Sequence, residues 1–115
     1  MATTIEVRDH ALGLLGLIPV GQAAQDQDRV EVESYYTRIY ADLLSSGLAT
    51  WISAGPLPDE VAPHVAALMA WQGTDTYGVS PARYQSIAAK ASVARREIRR
   101  LVRPRYEGLT DQTDF

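Results

Sequence analysis

An all-α fold, a small bundle of about four helices with one short extended segment and an extended C-terminal tail, is predicted by three observations. Apolar residues recur three and four apart in four separate stretches. Glycine and proline punctuate the short connections between those stretches. The last dozen residues lose the periodicity altogether. The chain divides accordingly into a helical domain over 1–103 and a tail over 104–115.

The first helix opens with Thr3 or Thr4 as N-cap and Glu6 in its first turn, carries Ile5, Ala11, Leu12 and Leu15, and closes at Gly16. Val20 to Gln25 reads as a turn region around Gly21, after which Asp26 or Asp28 begins a second helix. Its stripe is Val32, Tyr36, Ile39, Tyr40, Leu43 and Leu44, and Gly47 followed by Leu48 has the form of a Schellman cap with its hydrophobic contact. Ala49 to Ser53 is too short for a helix between Gly47 and Gly55-Pro56, so a brief extended segment is expected there. A third helix is expected from Pro58-Asp59-Glu60, with Val61, Val65, Leu68, Met69 and Gln72 on one face, ending by Tyr77-Gly78; Gly73 weakens its last turns. The fourth and clearest helix opens on Ser80 as N-cap and Pro81 at its first position, with a stripe of Tyr84, Ile87, Ala91, Ala94, Ile98 and Leu101. Pro104 is expected to stop it.

A chain of 115 residues that is 46% hydrophobic makes one domain able to bury a core without staples. Cysteine is absent, which excludes disulfides, thiolate catalysis and thiolate-bound zinc and fits a reducing compartment. No apolar run approaches the roughly 20 residues needed to cross a bilayer, and no secretory leader pattern opens the chain. A soluble protein without membrane contact is expected.

The net charge of −3 conceals a strong asymmetry. Residues 1–80 hold three arginines against ten acids, residues 81–106 hold eight bases against Glu97 alone, and residues 107–115 add three acids and no base. Five of the bases, Arg95, Arg96, Arg99, Arg100 and Arg103, fall within nine residues at the end of the fourth helix. A macrodipole favours cations there by only about 0.3–1 kcal/mol each and only in the last turn. The surplus suits an anionic partner, protein or nucleic acid.

Reactive chemistry finds little foothold. His10 and His64 lie in separate helices without metal-ligand spacing. Asp26, Asp28, Glu31 and Glu33 lack the glycine and terminal glutamate of a calcium loop and read as acids at a positive helix end. No phosphate-binding glycine loop and no nucleophile elbow is present, so no catalytic, metal or cofactor site is assigned. Tyr35, Tyr36 and Tyr40 could stack on bases beside the arginines, but their helical spacing favours packing, and Trp51 and Trp71 are read the same way.

The opening helix ending in ALGLLGLIPVG, the tyrosine-rich second helix with YADLLSSGLATWIS, the PDEVAPHVAALMAWQGTDTYGVS stretch, the AKASVARREIRRL helix and the polar tail together resemble the small phage head-tail adaptor family. These connector or head-completion proteins are typified by the tail accessory factor that docks on the portal of short-tailed phages. The resemblance spans nearly the whole chain. It implies a structural virion component at the head-tail interface, assembled in the host cytoplasm. Its copies would form a ring, usually twelve-fold, between the portal protein and a tail or stopper protein, with DNA passing through the channel without sequence-specific binding. It also implies that the segment Pro104 to Phe115 docks on the portal.

The residues expected to meet partners are therefore Arg95, Arg96, Arg99, Arg100, Arg103 and Arg105 on the basic helix end, with Tyr106, Leu109 and Phe115 as apolar anchors. Charge in place of large apolar patches points to a chain that is mainly monomeric alone and assembles on its partner. The alternative is a nucleic-acid-binding helical module using the same arginines on phosphates. The acidity of residues 1–80 disfavours it, because that surface repels DNA.

Overall fold

Thr3 sets the first helix by a capping box: the Glu6 amide donates to Thr3 Oγ1 at 3.1 Å and the Thr3 amide donates to Glu6 Oε1 at 3.2 Å. The resulting helix α1 is Thr4–Leu15, followed by α2 at Asp26–Ser45, α3 at Ala62–Tyr77 and α4 at Pro81–Thr113. The computed structural model describes residues 1–17 and 26–113, with side chains for 1–17 and 27–101. The turn expected over Val20 to Gln25 lies outside the described residues.

The C-termini follow the glycines. Gly16 adopts φ 76°, the Gly16 amide donates to the Gly13 carbonyl and the Leu17 amide to that of Leu12. Gly47 repeats the geometry on α2, with its own amide on the Leu44 carbonyl and that of Leu48 on Leu43. Both are Schellman closures, and Leu48 supplies the accompanying contact by being buried.

The start of α3 differs from expectation. Pro58 to Val61 form a turn whose first carbonyl accepts from the Val61 and Ala62 amides, and the helix begins at Ala62. Pro63, lacking an N–H and therefore harmless only in a first turn, fixes the boundary more strongly than Pro58 does. The acids Asp59 and Glu60 consequently precede the helix. Among the described residues there is no strand. The only extended pairing among them is a bridge between Ala2 and Leu57, with hydrogen bonds of 3.0 and 2.8 Å, placed beyond the segment Ala49 to Ser53. That segment turns Trp51 inward instead, because its indole has a partner on α2.

Helix α3 is the centre of the bundle and packs on all three others. It can do so because its buried residues are mostly small: Ala62, Ala66, Ala67, Ala70, Gly73 and Thr74, with Val65 and Met69 filling the wider gaps. Helix α1 contributes Val7, Ala11, Leu12 and Leu15, α2 contributes Val32, Tyr35, Ile39 and Leu43, and α4 contributes Ile87, Ala94 and Ile98. Ile5 and Leu44, assigned to stripes by spacing, are 57% and 55% exposed; Val7 and Tyr35 take the inward positions.

The backbone of α4 continues through Pro104 to Thr113, where an extended tail was expected. An interior proline removes one amide donor and also crowds the carbonyl four residues before it, at a cost of about 3 kcal/mol or more. Phe115 lies outside the described residues.

Gly73 shows why the centre is so closely packed. A Cβ placed there would stand 2.7 Å from Leu15 Cδ1 and 3.3 Å from Tyr35 Cε2. Gly73→Ala is expected to destabilise the fold by about 1–2 kcal/mol, overpacking outweighing the gain in helix propensity. Gly13→Ala meets nothing within 4 Å and should be neutral or stabilising. Thermal unfolding of the two variants checks the contrast, which a loosely packed centre would not produce.

Candidate partner-binding surface

Helix α4 starts as its sequence dictates. Ser80 Oγ accepts the Arg83 amide at 3.3 Å, and the Ser80 carbonyl accepts that of Tyr84 at 2.8 Å. Once Ile87, Ala94 and Ile98 face the core, helical geometry sends Gln85, Ser92, Arg96, Arg99 and Arg100 outward, and all five are exposed.

The cations on this helix have different occupations. Arg83 donates to the carbonyls of Gly13 and Leu14 at 3.4 and 3.1 Å, capping the C-terminus of α1. Arg95 pairs with Asp42 of α2 and reaches Ser46 Oγ at 3.3 Å, pinning α4 to the end of α2. Arg100 donates through Nε to Glu97 at 2.8 Å. That hydrogen bond chiefly holds the Glu97 carboxyl below its usual range, against a lesser opposing desolvation, with the charges of Arg100, His64 and Arg96 adding to it. Arg96 and Arg99 are exposed and make no ion pair among the described residues. Arg95, expected at a partner contact, is thus committed within the chain, while Arg96, Arg99 and the outer side of Arg100 form the available cationic surface. Arg103, Arg105, Tyr106 and Leu109 lie on helical backbone, beyond the described side chains.

The acids of α2 are likewise used internally. Glu33 accepts from Arg8 at 2.7 Å and Glu31 accepts from the Tyr35 hydroxyl at 3.0 Å. Burial first, and then the charge of Asp28, push the Tyr77 phenol up to about 12. The tyrosines are structural. Tyr36 donates to the Ser53 carbonyl at 2.8 Å and accepts from Trp51 Nε1 at 3.1 Å, while Tyr40 donates to the Trp51 carbonyl at 2.7 Å. Together they staple the connection between α2 and α3 onto α2.

The described residues contain no group of three ligating side chains placed for a metal and no buried polar side chain lacking a partner. None of the described helices is long and apolar enough to cross a membrane.

One surface was not foreseen. Trp71 and Tyr84 are 40% and 43% exposed, with ring centroids 5.4 Å apart and planes at 49°. With Gln72, Thr74 and Asp75 they line an open cleft between α3 and α4. Spacing alone put Tyr84 on the core stripe; its place in the first turn of α4, beyond the packed centre, is what leaves it half out.

If Arg95 and Asp42 act as a pair, Arg95→Ala and Asp42→Ala should each cost about 0.3–1 kcal/mol, reduced by the exposure of both groups, and the double variant should cost no more than either. Arg99→Ala should leave the unfolding midpoint unchanged. A double-mutant cycle measured by chemical denaturation checks this, and additive costs would show that the pair contributes nothing. His10 offers a second check: partial burial and then the nearby Lys90 charge lower its pKa below 6.5. The unfolded chain therefore takes up this proton more readily, so His10 costs stability as pH falls below about 6.5. Lys90→Ala should raise the His10 midpoint in an NMR titration.

No protein-family model matches the chain, and neither the curated proteins nor the solved structures provide a match.

Proposed function

We propose that this protein is a non-catalytic structural adaptor of a phage virion. It would seat as a ring between the portal and the tail around the DNA channel and present the exposed arginines of α4 to an acidic protein surface. The observation that carries this reading is the division of labour on α4. Arg83 and Arg95 are tied down within the bundle, whereas Arg96 and Arg99 stand exposed and without ion pairs among the described residues. Exposed like charges repel one another, and an anionic partner relieves that repulsion. The resemblance in helix order and motifs across nearly the whole chain supplies the biological setting: portal, neighbouring subunits and a tail or stopper protein as partners, and the head-tail interface as location.

Arg96→Glu combined with Arg99→Glu should abolish attachment to the portal ring while leaving the helical circular dichroism spectrum intact, because neither side chain enters the core. Attachment is scored by electron microscopy of the protein mixed with portal rings. Undiminished attachment would contradict the proposal. Tight binding of duplex DNA by the wild type, lost in this variant and falling steeply with salt, would favour the nucleic-acid reading instead.

A further inference from the structure

The cleft lined by Trp71, Gln72, Thr74, Asp75 and Tyr84 collects features that favour a cation. Trp71 and Tyr84 are half-exposed and present electron-rich ring faces. Asp75 stands one helical turn after Trp71, and a helical side chain leans toward the N-terminus of its own helix, so its carboxylate lies on the Trp71 side. That carboxylate is exposed and has no ion-pair partner among the described residues. Helix α3 carries no base in its last turn, so the partial negative charge of its C-terminus adds to that of Asp75. The charge of Asp28, which after burial raises the Tyr77 phenol, reaches the same helix end. A nucleotide would find rings to stack on here, but its phosphate would be repelled.

The ring geometry narrows the choice of cation. With centroids 5.4 Å apart and planes at 49°, the two rings touch each other, so nothing inserts between them. A bound cation must lie on an outer ring face and still reach Asp75. A guanidinium does both, stacking flat on an indole while donating from its edge to a carboxylate. A lysine ammonium is a compact, strongly hydrated point charge and suits such a flat surface less well. The arginines of α4 do not supply the group. Arg83 is held on the carbonyls of Gly13 and Leu14, and Arg95 is held by Asp42. Arg96 and Arg99 follow Tyr84 by twelve and fifteen residues, about 18 Å or more along the helix. Arg38 of α2 is exposed but does not line the cleft.

We propose that the Trp71, Asp75 and Tyr84 cleft binds an arginine side chain carried by an extended basic segment of a partner protein. The guanidinium stacks on the outer indole face and donates to the Asp75 carboxylate, with Tyr84 buttressing the indole from behind. The charge complementarity is opposite to that of the outward arginines of α4, so the molecule offers a separate surface to each sign of charge. This site does not rest on the adaptor reading, since it is measured in the isolated protein without any portal.

The test is an NMR titration with a blocked peptide, a single arginine flanked by two glycines on each side, at constant ionic strength. The chain has two tryptophans, and Trp51 donates its indole N–H to Tyr36, so its signal is an internal reference beside that of Trp71. The Trp71 indole signal should move saturably, with a midpoint on the order of 10 mM, while that of Trp51 stays in place. The same peptide with lysine should bind at least ~3-fold more weakly, and the one with neutral, isosteric citrulline at least ~10-fold more weakly. Asp75→Asn should weaken the arginine peptide by about 3-fold or more. Circular dichroism verifies that this variant is folded. Equal responses to arginine and lysine, joint movement of both indole signals, or an Asp75→Asn variant that titrates like the wild type would overturn the proposal. So would an Arg38→Ala variant whose Trp71 signal responds to the peptide only once that side chain is removed, since the cleft would then belong to the chain's own arginine.

Discussion

Everything in this bundle depends on how closely three helices can approach α3. A helix surrounded on three sides must present short side chains on most of its circumference, and the run of alanines interrupted by Gly73 does so. Leu15 and Tyr35 lean into the space that a Cβ at Gly73 would occupy. The cost of glycine in a helix interior, about 1 kcal/mol, is offset by packing that no larger residue permits there. With α3 fixed, α1 and α2 close around it and α4 lies along it, so the orientation of the arginines on α4 follows from the same contact.

The electrostatics are layered on that frame. Acids on α2 that look in the sequence like a free negative surface are partly taken up by Arg8, Tyr35 and Tyr77. Bases on α4 that look like one cationic block separate into three kinds: those that cap or tether neighbouring helices, Arg100 paired locally with Glu97, and Arg96 and Arg99 left outward. Surface ion pairs contribute little stability individually. Their greater effect here is to decide which arginines remain available, and the proposed partner-binding role attaches to those.

Helix existence and most of the helix ends were legible in the sequence, because Thr3, Gly16, Gly47, Gly78 and Ser80 each act through local backbone geometry. The features that were not legible depend on contacts between distant segments. Pro63 overruled Pro58 as the start of α3, and Tyr35 rather than Tyr36 took the core position. Trp51 turned inward because Tyr36 offers its hydroxyl, a pairing across fifteen residues that no period reveals. The continuation of α4 past Pro104 ran against the usual effect of proline on a helix interior. For the candidate surface, the sequence located the arginine cluster but could not distinguish Arg95, whose partner Asp42 lies on another helix, from Arg99. It likewise gave no sign that Trp71 and Tyr84 would meet at the rim of the bundle, since their contact requires the α3–α4 packing to be in place.

The central claim is that α4 divides its arginines between holding the fold and meeting a partner. Relaxation of the arginine side-chain Nε–Hε groups by NMR, in the isolated protein and again with portal rings added, reads that division residue by residue. Arg95 should be as ordered as the backbone in both states. Arg96 and Arg99 should be mobile on the fast timescale when the protein is dilute and alone, and should lose that mobility on the portal. Equal mobility of Arg95 and Arg99 in the isolated protein, or no change at Arg96 and Arg99 on adding portal, would contradict the account.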